Sequence, residues 1–517
     1  MGPTYRIGVD VGGTFTDLVI ADDGGRIICL AKAASRPFSP EEGVVEALGR
    51  AAAMLNIDTK TLLSACGCFV HGTTVATNAL LTGKGARAGL LTTEGFRDAL
   101  TIRRGLRENV WDHRAPNPPL LVPRHLSLPV VGRIGRGGEE TAPLDEASVD
   151  LAAEIFVREK VEAIAVCLFN AYLNPSHEER AGEILAKALP DAYITLSSHT
   201  APIMGEYERT STAAVSAFLG PRISGYLQEL ENALRNMGYE GPLMLLQSNG
   251  GMATVAHCRR HPASLVLSGP AAGAAAGRIY AEAGGVKSAV FFDMGGTSCD
   301  VTLLRDGKPG MVDQSAVGGY HVALPSVEVH TIGTGGGAIV WADPGGGLRV
   351  GPDSAGAEPG PASYGKGGER PTITDAHLIL GRLDPRGLLD GEMPLSAEKA
   401  ESAFARVAEA LGMSVPEAAA GAVRLASRQM AGAVETICAR HGADPRQMAL
   451  VAGGGAGGLS AAAVARHCHM SHIIVPREAA GVCAVGMAGS PIRYNRLKSR
   501  TLRLDETPAS VLEGEIN

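Results

Sequence analysis

The sequence contains no uncharged apolar run of about 18 residues or more, the length a membrane-crossing helix needs. It has no block of basic residues. Its 47 Lys and Arg are outnumbered by 54 Asp and Glu, giving a net charge of −7. Nucleic acid is therefore not expected as the main partner. The opening stretch, MGPTYRIGVDVGGTFTD, lacks the basic-then-apolar pattern of a secretory leader. The nine cysteines are odd in number and lack framework spacing, so reduced, buried thiols in a cytoplasm are expected. No G-x-x-x-x-G-K-[ST] occurs, which excludes a P-loop. Aromatic residues make up 4% and charged residues 20%, yet 45% of the chain is hydrophobic. That balance can bury a core and excludes a disordered chain.

Glycine is what the chain has in excess, 67 among 517 residues. Twelve runs of two or three consecutive Gly hold 27 of them. A folded chain keeps such runs where its backbone turns sharply or touches a ligand. The length allows about three domains, or two large ones.

The patterning is α/β. Tyr5–Asp10, Asp17–Ala21 and Arg26–Ala33 read as strands, with turns at VGGT and at Asp22-Asp23-Gly24-Gly25. A helix is expected over Pro40–Met54, capped by Ser39 with Pro40 at its first position. Strand-like runs at Ala88–Thr92 and Ala163–Phe169 alternate with helices at Leu144–Glu159 and Ser176–Leu189.

The chain also repeats itself. Residues 10–17 read DVGGTFTD and residues 293–300 read DMGGTSCD, identical at five of eight positions. Each copy follows a strand and precedes a second strand with an acidic turn. A duplicated architecture is therefore expected, with halves meeting near residues 190–210. In each copy a Gly-Gly turn lets backbone N–H groups approach phosphate oxygens, the Thr adds a donor, and the Asp is a hard oxygen ligand suited to Mg²⁺. Two such hairpins facing each other would clamp a nucleotide's phosphates.

A third glycine loop, Val451-Ala452-Gly453-Gly454-Gly455-Ala456-Gly457-Gly458, follows a short strand and precedes a helix. It would let adenine and ribose lie on the backbone, or it packs helix against strand. His71, Thr73, Thr74 and Asn78 stand around a helix start, where hydroxyls and N–H groups suit an anionic or carbonyl ligand. Capping with a core His is the alternative. Glu206 to Arg209 form a charged cluster that either lines a substrate cleft or is a solvated helix start. His330 and Asp375 could hold a second divalent metal between the halves, although two ligands do not complete a site.

The stretches RIGVDVGGTFTDLVI, HGTTVATNALLTGKGARAGLLTTEGFRD, YERTSTAAVSAFLGP, QSNGGM, SGPAAG, FFDMGGTSCDV, HTIGTGGGAIVW and LVAGGGAGG resemble the hydantoinase A / 5-oxoprolinase family, over about residues 5–495. That family includes the β subunits of acetone and acetophenone carboxylases and lies in the actin/Hsp70/sugar-kinase superfamily of ATPases. The resemblance implies duplicated actin-like (RNase H-like) domains with a nucleotide cleft between them. The first would span residues 1–200 and the second 201–495, followed by a polar tail, 496–517. It implies ATP and Mg²⁺. Gly12, Gly13, Thr14 and Thr16 match the first phosphate loop, and Gly295, Gly296, Thr297 and Ser298 the second. Gly453, Gly454 and Gly455 match the adenosine loop. Asp10, Asp293 and Thr297 take the catalytic positions, with Asp10 and Asp293 facing the metal, through water.

The implied activity is ATP-dependent phosphorylation of a carbonyl oxygen of a cyclic amide such as a hydantoin, 5-oxoproline or a lactam. Ring opening would follow with a hydantoinase B-type partner subunit in a cytoplasmic hetero-oligomer. The alternatives are an ATP-using subunit of a ketone carboxylase and a non-catalytic ATP-dependent conformational module. Family members usually continue well beyond the adenosine loop. This sequence stops at Asn517, so the usual C-terminal domain is expected to be absent, removed or on another chain. Five glycine runs between 284 and 368 have no place in this scheme and are expected to meet substrate or partner.

Overall fold

The computed structural model of the chain describes residues 4–13, 15–36, 39–105, 111–112, 114–388, 391–500, 502 and 507–511. Thr14, expected in the first loop, lies outside the described residues. The fold is α/β with mixed sheets. Among the described residues no helix is long and apolar enough to cross a membrane.

Two sheets share one plan. In the first, Tyr5–Val11 lies at the centre, with Phe15–Ala21 and then Ile27–Ala34 antiparallel on one side. On the other side, Cys66–Thr73 and Leu243–Leu246 run parallel to it, and Met252–Thr254 closes the edge antiparallel. In the second, Ala289–Met294 is central. Cys299–Arg305 and Lys308–Pro309 form the antiparallel side, and Ala449–Gly453 and His472–Ile474 the parallel side. The first sheet thus draws strands from both sides of residue 200. The two family-like hairpins occupy equivalent places in the two sheets.

A third sheet is wholly parallel, ordered Tyr193–Leu196, Ala163–Cys167, Ala88–Thr93 and Ser127–Val130. The helix Glu206–Asn236 joins it to the first sheet. Ala213, Ala214 and Ala217 enter the third sheet's core, while Val215, Phe218 and Leu219 enter the first sheet's core. This explains why the helix is buried nearly all round in its first half.

Two helices lie between the first and second sheets, Ser268–Ala283 and Val482–Ala488. Their packing needs glycine. A Cβ on Gly486 would strike the backbone of Ala272. Gly8 of the first sheet leaves room for Ala484, and Gly72 for Met487. On the other face, Phe291 packs where Gly273 and Gly277 lack side chains, and Val482 sits over Gly453. Both helices therefore touch both sheets.

Local signals explain several element ends. The helix Pro40–Met54 begins at its proline, after Ser39, which makes no side-chain cap bond. Thr372 and Asp375 form a reciprocal capping box for the helix Ile373–Ile379. Gly318 and Gly319, both with positive φ, turn the hairpin between Ser315–Val317 and Tyr320–Val322.

Candidate functional site

The two repeat hairpins end alike. Asp10 is paired in register with Asp17, and Asp293 with Asp300. The Gly12 N–H donates to the Phe15 carbonyl at 3.0 Å, and the Gly295 N–H to the Ser298 carbonyl at 3.1 Å. The same turn is thus built twice. A side chain at Gly13, Gly296 or Gly455 would meet nothing within 4 Å, so all three glycine loops border open space. Thr297 is exposed on the second loop and Ser298 is half-buried.

The carboxylates act on one another. Asp10 is pushed up to about 7 by burial first, then by Asp17 and Asp293, with Lys32 opposing. Asp293 is raised by burial, an effect opposed by a hydrogen bond from Cys483 and reinforced by Asp17. Asp300 rises to about 6 through burial, although Thr331 donates to its Oδ1 at 2.6 Å. Lys32 is paired with Asp17 and lies 4.8 Å from the centre of the Phe15 ring. Asp10 Oδ1 is shut off from solvent and has no hydrogen-bond partner among the described residues. Clustered, partly unpaired carboxylates call for a cation. Among the described residues no group of three or more His, Cys, Asp and Glu is placed to hold a metal alone. A hard ion completed by water and phosphate oxygens, as Mg²⁺ usually is, fits this donor set.

The third loop is built against the second. The Gly454 N–H donates to Ala479 O at 2.8 Å and the Ala456 N–H to Met294 O at 3.1 Å. A Cβ on Gly454 would collide with Asp293 Oδ1. Three of the five glycine runs left without a role have a structural one. Gly336 and Gly337 donate to the carbonyls of Gly295 and Gly296, at 3.0 and 2.6 Å. GTGGG at 333–337 therefore braces the second loop from behind. Gly345 to Gly347 close a hairpin whose turn N–H groups converge on Asp343. Gly318-Gly319 likewise turns a hairpin, so both runs have a structural use.

Other expected site residues are used structurally. Thr16 is fully buried and shares its hydroxyl with Ser35 at 3.1 Å, so it does not present that group to the loop. His71 is fully buried, with Nε2 2.6 Å from the Tyr226 hydroxyl and its ring driven down to about 3 by burial. Thr73 accepts from the Val75 N–H at 3.1 Å, and Thr74 donates to Val11 O at 3.1 Å, tying this helix start to the end of the first hairpin strand. Asn78 is exposed and donates to Thr74. Arg209 is fully buried, ion-paired with Glu206, and donates to Leu168 O at 2.9 Å. That pair clamps the loop after the strand Ala163–Cys167 and does not line a cleft. His330 lies on the edge strand His330–Ile332. Asp375 spends both oxygens on N–H and O–H groups of Ala362, Ser363 and Thr372. A carboxylate so occupied is a helix cap rather than a second-metal ligand.

Lys32, Cys483 and Gly335 to Gly337 escape the sequence-based site. Asp17 and Asp300 had a signal, the closing Asp of the repeat. Cys483 had none, since its Sγ donates to Asp293 Oδ2 at 3.1 Å across 190 residues of chain.

The profile of the Hydantoinase/oxoprolinase family matches residues 209–496, and that of the Hydantoinase/oxoprolinase N-terminal region matches 6–189. The chain belongs to the hydantoinase/oxoprolinase family. Within that family it is 39% identical, over 97% of its length and 72% of the relative's, to caprolactamase subunit alpha of Pseudomonas jessenii. It is 35% identical to the acetophenone carboxylase gamma subunit of Aromatoleum aromaticum, over 87% of its length and 63% of the relative's. The crystal structure of ATP-dependent caprolactamase from Pseudomonas jessenii superposes with a TM-score of 0.88 at 38% identity, covering 99% of this chain and 74% of that one. Nucleotide-free acetone carboxylase superposes at 0.83 and 27% identity, covering 94% and 70%.

Proposed function

We propose that this chain binds Mg–ATP between two actin-like halves and uses it to phosphorylate the carbonyl oxygen of a cyclic amide. The observation that carries this is the pair of matching hairpins, in which Asp293 of the second is close enough to Asp10 of the first to raise it. The repeated sheet order supports the duplicated architecture. Asp10 and Asp293 would hold Mg²⁺, which when bound offsets phosphate charge. The N–H groups of Gly12, Gly13, Gly295 and Gly296, with Thr297 and Ser298, would orient the phosphates, and Gly453 to Gly455 the adenosine. Phosphoryl transfer depends mainly on such positioning and charge neutralisation. Lys32 supplies positive charge that steadies the carboxylates.

An amide carbonyl is a poor electrophile because nitrogen donates into it. Attack of its oxygen on the γ-phosphoryl group releases ADP and leaves an O-phosphorylated imidate. Water adds to the imidate carbon, and collapse of the tetrahedral adduct breaks the C–N bond, opening the ring to an amine and an acyl phosphate. A second water hydrolyses the acyl phosphate to carboxylate and phosphate. Relatives named as alpha, beta and gamma subunits support a hetero-oligomer, in which a hydantoinase B-type chain would be the partner. The nine free cysteines fit a reducing, cytoplasmic setting.

The cyclic-amide substrate is favoured by the caprolactamase similarity, while the carboxylase similarities support a ketone with bicarbonate as the second reading. The test is ATP hydrolysis by the chain with its co-purifying partner. Stimulation by hydantoins, 5-oxoproline or lactams supports the first reading, and by ketones plus bicarbonate the second. Nucleotide binding with stimulation by neither would leave a conformational module.

A further inference from the structure

Cys483 lies where few thiols are found, among acidic groups. Its Sγ donates to Asp293 Oδ2 at 3.1 Å, and Asp10 and Asp300 are near enough to act on it. The Asp293 carboxylate is constrained on its other side as well. Its Oδ1 occupies space that Gly454 leaves by lacking a Cβ. Asp10, its counterpart in the first hairpin, is treated differently, with Oδ1 left without a partner among the described residues. The two equivalent aspartates thus differ: Asp293 Oδ2 accepts a bond from Cys483, whereas the buried Asp10 Oδ1 accepts none among the described residues.

The position of Cys483 is itself well determined. It sits in the first turn of Val482–Ala488, the short helix pressed against Gly8, Gly72 and Gly453 of both sheets. A donor on this helix therefore carries the relative placement of the two sheets into the orientation of one carboxylate.

Resting on the reading that Mg–nucleotide binds here, we propose that Cys483 is a positioning residue. Its S–H bond holds the Asp293 carboxylate in one orientation towards the cation, while Asp10, with no such bond on Oδ1, is left to turn. A serine keeps the donor, whereas alanine and valine remove it and leave Asp293 beside the other carboxylates without that restraint.

The experiment is calorimetric titration of the full chain with ADP, in Mg²⁺ and in EDTA, for wild type, Cys483→Ser, Cys483→Ala and Cys483→Val. A thermal melt confirms that each is folded, and two donor-less variants are used in case one is not. Loss of a hydrogen bond to a charged group predicts that Ala and Val weaken Mg–ADP binding on the order of tenfold, with Ser within about threefold of wild type. In EDTA all four should bind ADP alike. Wild-type affinity in Ala and Val, an equal loss in Ser, or a matching loss in EDTA would each overturn the role. A wild-type chain that fails to bind Mg–ADP would overturn the nucleotide site itself, and this inference with it.

Discussion

Gly335 and Gly333 belong to one loop and should respond oppositely to alanine. A Cβ on Gly335 would lie 2.6 Å from the Thr297 carbonyl carbon and 2.7 Å from the backbone nitrogens of Thr297 and Ser298. Ordinary contact begins near 3.4 Å, so about 0.8 Å of displacement is required, and all three atoms are backbone of the second hairpin's glycine loop. A Cβ on Gly333 would meet only the Pro352 carbonyl at 3.5 Å. Neither glycine has positive φ, so backbone strain does not separate them. Both substitutions also restrict the unfolded chain similarly. Gly335→Ala should therefore cost about 1–3 kcal/mol as overpacking. It should also lower ATP turnover by roughly 10- to 100-fold, since sub-ångström misplacement at a reacting centre is expensive. Gly333→Ala should stay within about 0.5 kcal/mol of wild type. Scanning calorimetry and Mg–ADP titration of both variants decide the matter. Equal behaviour of the two, or a destabilised Gly335→Ala that binds nucleotide normally, would refute the view that GTGGG braces the second loop.

Asp10→Asn and Asp293→Asn should each cut ATP turnover on the order of 10²–10³-fold in a folded protein; near wild-type turnover would remove them from the site. Lys32→Met leaves Asp17 half-buried without its cation and should lower Tm, and adding Asp17→Asn should recover most of the loss. No recovery in the double variant would mean that packing on Phe15 is what Lys32 supplies. His71 is held neutral in the fold down to about 3, while an unfolded chain protonates it near 6.5. Between those values the unfolded state binds the extra proton, so stability falls as pH falls, by up to about 1.4 kcal/mol per pH unit. Urea titrations of His71→Gln should show a flatter loss between pH 6.5 and 4.5, and an unchanged slope would refute this. Asp10 works in the opposite direction. Its raised value lets the ligand-free fold keep a proton that the unfolded chain releases near 4, so stability falls as pH rises towards about 7. Ligand-free Asp10→Asn should therefore melt higher than wild type at pH 8, and an equal or lower melting point would count against it.

The hairpins could be read from the chain because their information is local. Asp10-to-Asp17 and Asp293-to-Asp300 each hold a strand end, a turn and a strand start within eight residues. Pro40–Met54 was legible for the same reason, with a proline marking its start. Burial was not local. His71 and Arg209 look chemical in one dimension, yet one is enclosed beside Tyr226 and the other within the loop after Ala163–Cys167. Asp375 could be taken for a ligand until Thr372, three residues earlier, is seen to share a capping box with it. Cys483, Lys32 and Gly335 were missed because their partners come from other elements, and a single thiol, amine or glycine carries no periodic signal. The strand Leu243–Leu246 shows the same limit for architecture, since nothing in those four residues says which sheet they will join.

The contact of Gly486 with the Ala272 backbone limits how the two helices between the sheets can move. Helices whose backbones meet this closely cannot slide along each other without new collisions at the neighbouring side chains. They can still rock about the point of contact. Any rotation about that crossing is shared by the two sheets on which the helices pack. A methyl group at residue 486 would lie 2.0 Å from the Ala272 carbonyl oxygen and force the two helices apart.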